Sequence, residues 1–260
     1  MGDHTAITWT EATWNPVTGC SHVSEGCRFC YAEAVSLRRG WSTKPWTAQN
    51  AAENVVLHPE RLGQPAKWRR PRRIFVNSMS DLFHERVPDA FIEEVFRVMR
   101  DEIRHTFQVL TKRPERMRDF VRSHWGDAVA FWDHVWLGVS AEDQRAWDER
   151  VEVLGETPAA VRFVSAEPLL GWIDVGNALD PGGDGFDPVD WVIIGGETGP
   201  AHREMDLKAA WWLAEQCELA EVPCFVKQDS GRWPGHQGRL APELWARKEY
   251  PIARRRVVRR

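Results

Sequence analysis

Short, unbroken apolar runs recur along the second two-thirds of the chain: IFVNS (74–78), FQVLT (107–111), VWLGVS (135–140), VRFVS (161–165), WVIIGG (191–196) and CFVKQ (224–228). Each is too short and too continuous for a surface helix, so each predicts a strand buried on both faces. Between several of them the pattern changes to helical spacing. In PDAFIEEVFRVMRDEI, Phe91, Val95, Val98 and Ile103 recur near that spacing, with Pro88 and Asp89 at the start. AEDQRAWDERVEVL (141–154) and DLKAAWWLAEQCELA (206–220) predict two further amphipathic helices. Strand then helix about every 30 residues means parallel βα units. Five or more such units predict an α/β protein built as an open, partial parallel βα barrel, TIM-barrel-like. A doubly wound open sheet is the other arrangement this order allows. PGGDGFDP (181–188) reads as a loop. The segments before 74 and after 228 are irregular, and the tail from about Arg232 onward is expected to pack loosely. No linker interrupts the pattern, so 1–260 reads as one domain.

The strand ends carry a second regularity. LGVSAE (137–142), RFVSAE (162–167) and IIGGE (193–197) each run from a strand into small residues and a glutamate. In a parallel barrel these tips lie at the C-terminal face, where active sites are built. Glu142, Glu167 and Glu197 would then converge on one mouth. Each glutamate alone is explained as a helix-capping charge at the positive end of a dipole, but three in register favour a functional carboxylate. Glu167, Glu197 and Lys112 are the candidate catalytic groups. Asp81 and Lys112-Arg113 stand at comparable tips, which gives the mouth both signs of charge and suits a zwitterionic or phosphorylated ligand.

Composition narrows the class. With 43% apolar and 28% charged residues the sequence is that of an ordinary globular protein. MGDHTAITWTEATW has neither a basic nor an apolar signal region, and no apolar run approaches the ~20 residues of a membrane span. A cytoplasmic location without a membrane partner is therefore expected. The net charge of −4 excludes a polycation overall, yet KWRRPRR (67–73) and RRRVVRR (254–260) concentrate ten of the 34 basic residues. Lys67, Arg69, Arg70, Arg72 and Arg73 would grip phosphates while Trp68 stacks on a base. The basic tail, 251–260, would act as an arm. The plain alternative is a solvated loop and a solubilising tail. His84, His105 and His202 show no metal-ligand spacing.

GCSHVSEGCRFCYAE (19–33) places Cys20, Cys27 and Cys30 within eleven positions of a chain holding five cysteines. An odd, clustered set fits a disulfide scaffold poorly and reads as metal-binding or catalytic in a reducing compartment. Structural zinc wants four ligands. Cys217 and Cys224 fall on a predicted helix and strand and read as packed core thiols, while His22 lies very close to Cys20 to complete a set. Three thiolates with one position open fit an iron–sulfur cluster held at three irons better than they fit zinc.

Cys27-Arg28-Phe29-Cys30 resembles the C-x-aromatic-C end of the radical S-adenosylmethionine signature. WNPVTGC, GCRFCYAE, SMSDLF, LTKRPE, GVSAE, SAEPLLG and IGGETG together resemble a phage- and actinobacteria-associated radical-SAM-like family with a C-x6-C-x2-C motif, from about residue 9 to 228. The common loop of the superfamily is C-x3-C-x2-C, so the loop here is longer. The resemblance implies a cluster loop over 14–33 in which Cys20, Cys27 and Cys30 ligate a 4Fe–4S cluster. It implies S-adenosylmethionine as second cofactor, reductively cleaved to a 5′-deoxyadenosyl radical, in an enzyme of lyase or transferase type. Phe29 would pack near the adenine, Ser78 and Asp81 would hold the methionyl ammonium, and Ser140 and Glu142 the ribose hydroxyls. A flavodoxin or ferredoxin would deliver the electron. DNA or a nucleotide is the implied substrate class, through base modification or photoproduct repair. The alternative from another class is a zinc- or cluster-stabilised nucleic-acid-binding protein without catalysis.

Overall fold

The structure is a computed structural model and describes residues 5–180 and 187–252. Nine strands follow in chain order: β1 (Ala12–Trp14), β2 (Val17–Thr18), β3 (Val56–Leu57), β4 (Arg73–Val76), β5 (Thr106–Thr111), β6 (Val135–Ser140), β7 (Val161–Ala166), β8 (Trp191–Gly195) and β9 (Cys224–Gln228). Seven of them form one curled sheet in the order β1-β4-β5-β6-β7-β8-β9, every neighbouring pair parallel. This is an open half-barrel. Strands β2 and β3 make a separate antiparallel pair. The helices are α1 (Tyr31–Arg38), α2 (Ala51–Asn54), α3 (Asp89–Asp101), α4 (Pro114–His124), α5 (Gln144–Gly155), α6 (Leu207–Leu219) and α7 (Pro242–Trp245).

Alternation along the strands separates two apolar cores. Ile74, Val76, Phe107, Val109, Leu137, Val139, Val164 and Val192 face the helices and pack with Phe91, Val95, Phe96, Phe120 and Leu213. Their neighbours Phe75, Trp136, Phe163, Trp191, Ile193 and Phe225 face the concave side, where Trp9 joins them and no helix contributes. Trp9, Trp136 and Phe163 ring Trp191 with centroids 5.6 to 6.1 Å from its own. The half-barrel is thus plugged with aromatic rings below its mouth, which gives part of the tryptophan excess a structural place. Gly138 makes room for this plug: a Cβ there would lie 2.6 Å from the Phe163 ring.

Several expectations change on the structure. Strand β4 stops at Val76 because Asn77 takes the left-handed region, with φ 61°. Ile103 lies beyond α3 and is 74% exposed, since Glu102 ends the helix; Phe91, Ile92, Val95, Phe96 and Met99 bury the helical face instead. As far as Ile252, the C-terminal segment does not pack loosely. Leu240 and Leu244 are buried, Val226 N–H donates to the Arg247 carbonyl, and Phe225 bridges Lys248. Residues 181–186 of the expected loop and 253–260 of the basic tail lie outside the described residues.

Candidate functional site

The loop from β1 to α1 carries the three cysteines over the C-terminal ends of the strands. Its first half is stitched to the turn after β4. The Asn15 side-chain oxygen accepts from Ser78 Oγ at 3.2 Å and Met79 N at 2.9 Å. Asn77 Oδ1 accepts from Val17 N at 3.2 Å, and Gly19 N donates to the Met79 carbonyl at 2.9 Å. Beyond Cys20, His22 Nε2 sits 2.6 Å from Glu33 Oε2, and Glu33 Oε1 accepts the Trp46 N–H. Cys27 closes a short turn, and Cys30 stands at the N-cap of α1.

All three thiols are free and line one cavity of about 190 Å³. Phe29, Ser78, Asp81, Lys112, Ser140, Glu167 and Glu197 line the same cavity, whereas Glu142 sits behind its wall. Arg113, 7% exposed, points Nη1 at Cys20 Sγ from 3.6 Å and also donates to the Ser21 carbonyl, to Asp81 at 3.2 Å and to Glu85 at 2.9 Å. Burial pushes the Cys20 thiol up to about 12, with Asp81 adding to the rise and Arg113 opposing it. Burial also raises Cys30, against the pull of the Glu33 backbone N–H and, more weakly, of Lys112. Cys20 and Cys30 are therefore held protonated, and a metal that binds them must displace their protons.

The strand-tip glutamates divide the work. Glu142, 1% exposed, pairs with Arg150 at 2.9 Å and accepts the Gly26 N–H at 3.3 Å. A Cβ on Gly26 would approach its carboxyl carbon to 2.8 Å, so only glycine fits the loop against it. Desolvation would raise its pKa, but Lys112 and then the paired Arg150 outweigh it and hold the carboxyl below the ordinary carboxylate range. Glu197 receives Arg203 through Nη2 at 2.6 Å and Nε at 2.9 Å, and Arg203 in turn donates to the Glu25 carbonyl at 3.0 Å. The same guanidinium lies 5.3 Å from the centre of Phe29, with Arg28 at 5.4 Å. Two of the three glutamates thus brace the cysteine loop. Glu167, which does not contact that loop, meets Lys227 at the mouth at 2.5 Å, with Gln228 at 3.0 Å.

Residues 4–255 match the family described as "Protein of unknown function (DUF5131)". The chain belongs to this family. No curated protein matches it. A solved structure similar to it is "Spore photoproduct lyase complexed with dinucleoside spore photoproduct", 12% identical, with a TM-score of 0.40, covering 77% of this chain. The chain spans 59% of the length of that one.

In this DUF5131 chain, Asp81 is occupied: it accepts from Phe83 N, Thr111 Oγ1, Lys112 N and Arg113. Ser78 gives its hydroxyl to Asn15 and its carbonyl to the Tyr31 hydroxyl. The basic run is not at the mouth. Arg73 opens β4, so 67–73 lies at the N-terminal ends of the strands, the opposite end of the half-barrel. Trp68 is 6% exposed, packed in the helix-side core edge-on to His105, so it offers no face to a base. Arg72 lies over Trp68 at 5.4 Å and Arg73 over Tyr250 at 4.0 Å, while Lys67, Arg69 and Arg70 are exposed. Arg203, Asn15 and Tyr31 were given no role from the sequence: Asn15 and Tyr31 lie within WNPVTGC and GCRFCYAE, while Arg203 belongs to no run. Among the described residues no group of three or more His, Cys, Asp or Glu side chains is gathered to hold a metal ion. No described helix is long and apolar enough to cross a membrane.

Proposed function

We propose that this chain is a radical S-adenosylmethionine-type enzyme whose Cys20, Cys27 and Cys30 hold a 4Fe–4S cluster, acting on DNA or a nucleotide. The observation that carries this reading is the convergence of three free thiols from one loop on one cavity at the C-terminal ends of the strands. The donor set fits such a group. Structural zinc takes four protein ligands, and the loop brings three thiols to the cavity. A cluster takes one thiolate per iron and accepts thiols spread around it. Held by Cys20, Cys27 and Cys30, the cluster would supply the one-electron chemistry for reductive cleavage of S-adenosylmethionine.

The chain's own residues supply position, charge and dryness. Arg113 offers Cys20 a cation, and Lys112 does the same for Cys30. Glu142 and the Glu197–Arg203 pair hold the loop down at Gly26 and Glu25. Phe29, clasped between two guanidinium groups, covers the loop's end, and Trp9 and Phe75 close the floor to water. Ser78 and Ser140 stay candidates for cofactor contacts. Asp81 and Glu142 act through Arg113 and Gly26, as positioning residues. Glu167, with Lys227, is the carboxylate left to face a substrate, and Glu197 positions Arg203. A one-electron donor of flavodoxin or ferredoxin type completes the system.

The test is anaerobic reconstitution with iron and sulfide, reduction, and EPR with and without S-adenosylmethionine. A reduced 4Fe–4S signal that changes on adding S-adenosylmethionine and is lost in Cys27→Ala supports the reading. Colourless zinc-bound protein, or a cluster signal indifferent to S-adenosylmethionine, overturns it and leaves a metal-stapled binding protein.

A further inference from the structure

The mouth holds more hydrogen-bond donors than it has acceptors for. Its carboxylates are matched within the chain: Asp81 by Arg113, Glu167 by Lys227 and Glu197 by Arg203. Two donors on adjacent strand tips are not. Lys112, just past β5, lines the cavity half-buried, and its ammonium has no ion pair among the described residues. Asn77, just past β4, lines the same cavity and is 2% exposed. Its Oδ1 accepts the Val17 N–H, which fixes the amide's orientation and leaves Nδ2 as a buried donor without a partner. An unpaired buried donor is costly unless something arrives to accept from it. Neutral acceptors satisfy an amide alone. An ammonium lining the same cavity calls for a charge.

We infer that Asn77 and Lys112 form a subsite for an anionic oxygen group, a carboxylate or a phosphate, on the ligand that enters the mouth. Lysine supplies the charge and asparagine the directed hydrogen bond. The inference rests on the reading above for the source of that anion: the methionyl carboxylate of the cofactor or the phosphate of a nucleotide substrate.

The experiment titrates the full chain, with and without reconstituted cluster, by calorimetry against two ligand pairs. Thymidine 5′-phosphate is compared with thymidine, and S-adenosylhomocysteine with its decarboxylated form. In at least one pair the anion-bearing member should bind about tenfold tighter or more, the scale of one charge-assisted hydrogen bond. Lys112→Met should erase that preference in protein that keeps a cooperative thermal transition. Asn77→Asp, which tolerates the left-handed backbone and sets a carboxylate where the amide was, should erase it too. The pair that responds names the source. No preference in either pair, or a preference that survives in Lys112→Met, overturns the subsite. Protein that takes up no cluster yet prefers the anion keeps the subsite and loses the radical reading. Cluster-bearing protein without the preference does the reverse.

Discussion

Arg203 is the residue on which the outer half of the cysteine loop hangs, and its removal makes a quantitative test. Replacing it with alanine strips Glu197 of both guanidinium bonds and Glu25 of its carbonyl partner, leaving Glu197 only the backbone N–H of residue 203. Glu197 is 5% exposed, and orphaning a buried charge costs about 3–5 kcal/mol. The arginine it pairs with is 27% exposed, so water takes part of its place and about 2 kcal/mol is the expected cost. In a chain of this size that lowers the thermal midpoint by about 4–8 °C. Glu197→Gln/Arg203→Ala removes the stranded charge as well and should recover about 1 kcal/mol of the loss. A chromophoric disulfide reagent reads the local effect: freed from Glu25 and Phe29, the loop should let Cys27 react several-fold faster in Arg203→Ala than in wild type. Strictly additive midpoints across the cycle, together with unchanged Cys27 reactivity, would refute the role assigned to this pair.

Three other variants probe separate parts of the fold. Glu142→Gln keeps an acceptor for Gly26 but leaves Arg150, 8% exposed, without its counter-charge, and the urea midpoint should fall by an equivalent of about 2–3 kcal/mol. Gly138→Ala pushes a methyl against the Phe163 ring and backbone and should cost about 1–3 kcal/mol in the same assay. Burial lowers the Lys248 ammonium to about 8. Between that value and the ordinary value of about 10.4 the unfolded chain binds more protons than the folded one, so the stability of wild type relative to Lys248→Met should rise as pH climbs through this window and stay flat below it, read as paired thermal midpoints.

The half-barrel was legible because its strands are buried on both faces. The runs at 107–111, 135–140 and 224–228 coincide with strands or nearly so, and the sequential strand order decides for the half-barrel over the doubly wound sheet that the pattern also allowed. β1 escaped notice since three residues, ATW, carry no period. The cysteines announced a site, and the structure gathers them around one cavity. The glutamates misled in part. Recurrence after each strand showed that they share an end of the barrel, but a linear sequence does not say that Arg150 and Arg203 will claim two of them. Trp68 misled for a related reason: arginines on either side suggest an exposed ring, while the chain tucks it under His105.

The tryptophans in the cavity wall have an optical use. Trp9 and Trp46 are each 2% exposed and form part of the cavity wall. Their emission overlaps the absorption of any coloured group seated among the thiols, and at wall contact energy transfer to such a group is efficient. Most of the other tryptophans sit farther from the mouth and dim less. The chain therefore carries its own gauge: a fall in tryptophan fluorescence, larger than the absorbance of the sample explains, follows occupancy of the mouth in real time and without a label.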